Sequence, residues 1–139
     1  MSLSVAYANE RVAFEKPIGK FQAIQHSLAR LAGEAAAAIA AAGSAADAIE
    51  SAACFDTAVL LEAASAKIRI GEAATAGTAI AHQVHGAIGL SRDYALHHFT
   101  QRLWAWRDDF GHESYWAARL GQLVARRGAD QLWPLLAAQ

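Results

Sequence analysis

Apolar positions recur along this chain at spacings of three and four, and strict apolar/polar alternation is almost absent, so the pattern predicts helices rather than strands. A helix starting near Ile18 carries Phe21, Ile24, Leu28, Leu31, Ala35, Ile39 and Ala42 as one stripe, with Arg30 and Glu34 off it. It is expected to continue toward Glu50, fraying or turning between Gly43 and Ala53. A longer helix over about Phe55–Gly86 places Val59, Ala63, Ala66, Ile70, Ala73, Gly77, Ile80 and Val84 on one side. Small residues at so many of those positions let helix axes approach closely.

A first helix over about Ser4–Phe14 must stop before Pro17, which disfavours helical geometry in the residue preceding it. Ser91 reads as the N-cap of a helix over about Arg92–Trp106. Asp108-Asp109-Phe110-Gly111 breaks it, and a last helix follows over Glu113–Arg127. The tail Trp133-Pro134-Leu135-Leu136 reads as docked apolar surface or a frayed end. The expected architecture is all-α, an antiparallel up-and-down bundle of four to five helices in one domain over residues 1–139.

Composition sharpens this picture. Of the 139 residues 36 are Ala and only 2 are Pro, which favours helix and is poor material for a sheet. With 12 basic and 13 acidic residues and net charge −1, the chain lacks the basic footprint of a nucleic-acid binder. Cys54 alone gives no internal disulfide and no four-thiolate metal site, and suits a reducing cytoplasm. The N-terminal stretch has no signal-peptide pattern. The longest uncharged stretch, Ala73–Ser91, includes His82, Gln83 and His85 and does not read as a membrane span.

Most catalytic signatures are missing. None of Glu10, Glu15, Glu34, Glu50, Glu62, Glu72 and Glu113 has a His three residues later, so a di-metal bundle site is not expected. His82 and His85 lie one turn apart without nearby carboxylates, a pattern that fits hydrogen-bonded histidines at a helix end better than a zinc site. His97 and His98 are adjacent and are expected on different faces. No Gly-x-Ser-x-Gly elbow or phosphate loop is present, and no metal is expected.

The order of several weaker motifs is more informative. Tyr7-x-x-x-Arg11-x-x-Phe14, Pro17-Ile18 and Phe21-Gln22-x-x-Gln25 precede Gln83-Val84-His85-Gly86-Ala87-Ile88-Gly89-Leu90 and then Arg102. This series resembles the C-terminal helical domain of the acyl-CoA dehydrogenase family, over about Val5 to Arg119. The resemblance implies FAD-dependent α,β-dehydrogenation of an acyl-CoA thioester, with electrons passed to an electron-transfer flavoprotein. It further implies that Arg11, Phe14 and Gln22 meet the flavin diphosphate and adenosine portion in a neighbouring subunit, and that Gln83, Gly86 and Ala87 line the same cofactor. The chemistry suits those roles, since Arg offers a forked donor to phosphate and Gln an amide. Read without the resemblance, Arg11 is a surface partner for Glu15.

Two departures from the family pattern matter. Aligned through Arg102, the family's usual catalytic Glu falls on Gly111, with His112 and Glu113 following. Glu113 and Asp109 are the nearest carboxylates, and Glu113 suits a cap at the positive end of the last helix better than the role of base. In some branches the base sits on the first long helix of this domain, at a position before Met1. The second departure is length: the N-terminal helical and β-domains that complete the site are not in these residues. The expectation is a fragment of a longer enzyme, with Met1-Ser2-Leu3 an appended scar, inactive alone, and forming a homo-oligomer in the cytoplasm. A non-catalytic assembly subunit pairing with a full-length dehydrogenase, or a plain helical interaction module, are the alternatives.

Overall fold

The computed structural model describes residues 1–137. Six helices dominate it: α1 (Ser2–Glu10), α2 (Gln22–Ser51), α3 (Thr57–His85), α4 (Leu96–Asp108), α5 (Glu113–Arg127) and α6 (Leu132–Ala137). The only strands among the described residues are β1 (Val12–Ala13) and β2 (Lys16–Pro17), an antiparallel ribbon pairing Val12 with Pro17 and Ala13 with Lys16. No helix of the described residues is long and apolar enough to cross a membrane.

The chain divides into two compact units. The first comprises residues 1–37 and 73–106, the second residues 38–72 and those from 107 onward. Both long helices contribute to both units, which follows from their having no internal Pro and an Ala-rich sequence.

In the first unit, buried Leu31 of α2 lies over Gly77 of α3, where a Cβ would come within 3.3 Å of its Cδ1. Ala73, Thr78, Ala81 and Val84 of α3 are buried with it. The expected stripe on α2 departs from the observed core at Ile39, which is 73% exposed, while Ala45 is buried. The cause is angular: each step of four residues overshoots a full turn by about 40°, so 31, 35 and 39 in succession swing off the face.

Helix α1 is shorter than the sequence suggests. Residues 11 to 17 leave it and double back through Phe14 (φ 52°) and Glu15 (φ 66°), both left-handed. Ile18 N–H then donates to Arg11 O at 2.8 Å, and a short 3-10 turn, Ile18–Lys20, leads into α2. Gly19 packs closely against α1: a Cβ there would sit 3.1 Å from Ala8 O, so the backbone would have to give by a few tenths of an ångström.

At its far end α3 stops at Gly86, whose φ of +64° suits glycine, and a 3-10 segment Gly86–Leu90 follows. Ser91 does not cap α4. Its Oγ accepts from Asp93 N–H at 3.2 Å, and residues 92–95 form turns before α4 begins at Leu96. Tyr94, drawn inward against His85 at 5.2 Å between ring centroids, holds those turns.

In the second unit, Asp56 caps α3 by accepting from Val59 N–H at 3.0 Å, and Ser44 of α2 donates to Glu62 of α3 at 2.7 Å. Arg127, at the end of α5, donates to Thr57 Oγ1 at 3.0 Å. Helix α5 spans the expected residues, but the tail is a helix whose Leu132, Trp133 and Leu136 remain exposed rather than docked.

Gly33, Gly43 and Gly121 sit inside helices with no atom within 4 Å of a built Cβ. Substituting each by Ala is expected to stabilise the chain by about 0.5–1 kcal/mol, whereas Leu31→Ala should cost about 2–5 kcal/mol. Urea titrations of the four variants check both signs.

Candidate functional site

One end of the first unit gathers most of the residues singled out from the sequence. His85, only 4% exposed, donates from Nδ1 to Ala81 O at 2.8 Å, and its ring stacks on Tyr7 at 4.5 Å between centroids. That stack ties the end of α3 to the last turns of α1, four residues before Arg11. Arg11 is exposed and extended, and its side chain makes no ion pair with Glu15. Phe14, at the ribbon's tip, is 88% exposed, with only an edge contact to Phe21 at 6.2 Å.

Gln22 opens α2 directly after Phe21 and is exposed, as are Gln83, Gly86 and Ala87 at the end of α3. A Cβ built on Gly86 would meet nothing within 4 Å, so the backbone there is open to a ligand. A guanidinium outside any salt bridge, an exposed ring, two amides and an open glycine turn are groups that fit an aromatic dinucleotide with a diphosphate. No carboxylate belongs to this set.

A second cluster lies beside it on α3 and α4, and sequence reading did not find it. Thr100 Oγ1 donates to His97 O at 3.2 Å, which uses its one proton. The 3.0 Å contact from His82 Nε2 to the same oxygen therefore has the imidazole donating. His82 Nδ1 is left bare and buried without a partner, close under Gly89. Burial, and then the neighbouring His85, lower the His82 pKa below its usual 6.5. Burial first, then Glu10 and Tyr7, raise that of Tyr94. Trp104 stacks near His82 at 6.1 Å and donates to Thr78 Oγ1 at 3.1 Å. The His82/His85 spacing was the one available signal, but the partner of His82, Thr100, lies on another helix. His97 and His98 also depart from expectation, with ring centroids 3.9 Å apart.

The residues at the expected base position all belong to the second unit. Gly111 has φ +94°, and a Cβ there would lie 2.6 Å from Tyr115 Cδ1. No side chain fits that place without rearrangement. Glu113 is half-buried and both its oxygens lie 3.1 Å from Arg107 Nε. It is thus committed to a charge-assisted contact, and packs over Gly71, where a Cβ would approach Oε2 to 2.9 Å. His112, not Glu113, caps α5, its ring accepting from Tyr115 N–H at 3.3 Å. Asp109 is exposed. Among the described residues no group of three or more His, Cys, Asp or Glu could hold a metal ion.

A Gly111→Glu variant should lose about 1–3 kcal/mol from backbone strain alone, read as a lower urea midpoint. For His82 the folded pKa lies below the unfolded one, so its contribution is fully present above about pH 6.5 and is lost as pH falls through that value toward the folded pKa. The melting temperature should drop between pH 8 and pH 5.5, and the drop should shrink in His82→Gln.

Comparison with known proteins is consistent in its direction. Residues 1–107 match the C-terminal domain of the acyl-CoA dehydrogenases. The chain is 30% identical to the acyl-CoA dehydrogenase IpdE2 of Mycobacterium tuberculosis, over 96% of this chain and 36% of that protein. It is 38% identical to the acryloyl-CoA reductase (NADH) of Anaerotignum propionicum, over 69% of this chain and 23% of that one. Similarity at 37% identity to the 3-sulfinopropanoyl-CoA desulfinase of Paraburkholderia xenovorans covers 68% and 23%. The chain spans about a third or less of the length of these relatives.

Proposed function

The chain belongs to the acyl-CoA dehydrogenase family, as its C-terminal helical domain, and from that premise we propose that it serves an FAD-dependent oxidoreductase acting on acyl-CoA thioesters. The reaction is α,β-dehydrogenation, with electrons leaving to a flavoprotein acceptor. In it this domain supplies flavin and subunit contacts and does not turn over by itself. The observation that carries the reading is the exposed set Arg11, Phe14, Gln22, Gln83, Gly86 and Ala87 on one unit of a chain with this family match.

FAD supplies hydride acceptance when bound, and the residues of this chain would hold its non-reacting end. Arg11 would pair with the diphosphate, Phe14 would cover the adenosine portion, and the amides of Gln22 and Gln83 would orient it. Gly86 and Ala87 would let the backbone approach. These contacts reach the flavin of a neighbouring subunit, so the working state is a homo-oligomer. The single Cys and balanced charge fit a cytoplasmic setting.

Removal of the substrate's α-proton falls to a residue elsewhere in the complete enzyme. A side chain at Gly111 would have to displace the Tyr115 ring and hold a positive φ, and Glu113 is held by Arg107. The same observation supports a second reading, a non-catalytic assembly subunit beside a full-length dehydrogenase. The reading frame upstream of Met1 separates the two: contiguous flavin-domain sequence there supports the fragment, and its absence the subunit. The relatives' names share a CoA thioester while differing in reaction, which supports a role for this domain in holding cofactor and assembly rather than in choosing the chemistry.

The purified chain should give no acyl-CoA turnover with an artificial electron acceptor and retain little FAD; robust turnover would overturn the proposal. With the remaining domains supplied, Arg11→Ala should weaken FAD retention about tenfold or more, the loss expected of one charge-assisted hydrogen bond. Equilibrium dialysis of the flavin measures it.

A further inference from the structure

A cleft of about 480 Å³ opens between the end of α3, the turns before α4 and α4 itself, all within the first unit. Arg92, His97, His98, Gln101 and Trp104 line it above His82. No carboxylate lines it, although acidic residues outnumber basic ones in the chain as a whole. Arg92 is exposed, and its guanidinium makes no hydrogen bond or ion pair with the described residues.

The donors that remain after internal pairing can be assigned. His97 Nδ1 donates to Tyr94 O at 2.7 Å, which fixes the ring and leaves Nε2 as an acceptor, so this ring forms part of the wall rather than a donor. His98 is exposed and touches the ring of His97, so its one N–H is available to a ligand. Gln101 adds an amide, and Leu90 and the Trp104 ring, 44% exposed, form an apolar wall beside the charged donors. A forked guanidinium with several single donors matches the tetrahedral oxygens of phosphate better than the flat face of a carboxylate.

We propose that this cleft is a phosphate-binding site, with Arg92, His98 and Gln101 as donors and His97 and Trp104 as the wall for whatever carries the phosphate. His82 is not a ligand, because its one proton is spent on Thr100; it forms the floor that positions α4. The site does not depend on the flavin reading, since Arg11, Gln22, Gln83, Gly86 and Ala87 do not line it.

The test is a titration of the 139-residue chain with inorganic phosphate at constant ionic strength, following the histidine ring resonances by NMR. Saturable shifts of His97 and His98 are expected, weakened about tenfold or more in Arg92→Gln and weakened also in His98→Gln, an exposed position whose change leaves the fold intact by circular dichroism. Adenosine 5′-phosphate binding more tightly than inorganic phosphate, with adenosine alone inert, identifies an organic phosphate as the occupant; equal affinity identifies the free ion. Shifts that follow ionic strength alone, or that survive Arg92→Gln unchanged, overturn the proposal.

Discussion

The end of the first unit is organised by one buried imidazole. His85 donates to the carbonyl one turn back on its own helix, and in doing so presents its ring flat to Tyr7 and tilted to Tyr94. Remove that ring and three segments lose their common anchor: the end of α1 with the ribbon beyond it, the glycine turn after α3, and the turns before α4. A phenyl ring could fill the volume but could not bond the Ala81 carbonyl that sets its angle. The exposed groups attributed to cofactor binding are thus held by packing on which none of them takes part directly, an arrangement in which rigid support lies beneath exposed ligand groups.

The helical architecture was legible because its causes are local and repeated. Abundant Ala, spacings of three and four, and two prolines outside the long helices leave little else for the backbone to do, and α5 falls where its flanking breakers put it. The ribbon after Arg11 was not legible. Tight hairpin turns with two left-handed residues normally advertise themselves with Asn or Gly, and here Phe14 and Glu15 occupy those positions. Ile39 leaves the core for a different reason, since apolar positions that repeat every four residues drift around a straight helix.

At the candidate site the division is similar. Arg11, Phe14, Gln22, Gln83, Gly86 and Ala87 could be named because their order along the chain is itself a pattern, and the backbone then placed them where side chains are exposed. The pairing of Glu113 with Arg107 could not be read in advance, because it spans a helix break whose geometry rests on the left-handed Phe110 and Gly111. Nor could the His82, Thr100, Trp104 and Thr78 contacts, which join two helices through single hydrogen bonds with no sequence signature.

Gly111 bears on repair as well as on chemistry. Its backbone is left-handed, the Tyr115 ring occupies the space a side chain would need, and the next residue caps α5. Restoring a carboxylate by one substitution therefore sets charge against backbone: the turn must hold a positive φ with a side chain on it, and the aromatic ring must give way.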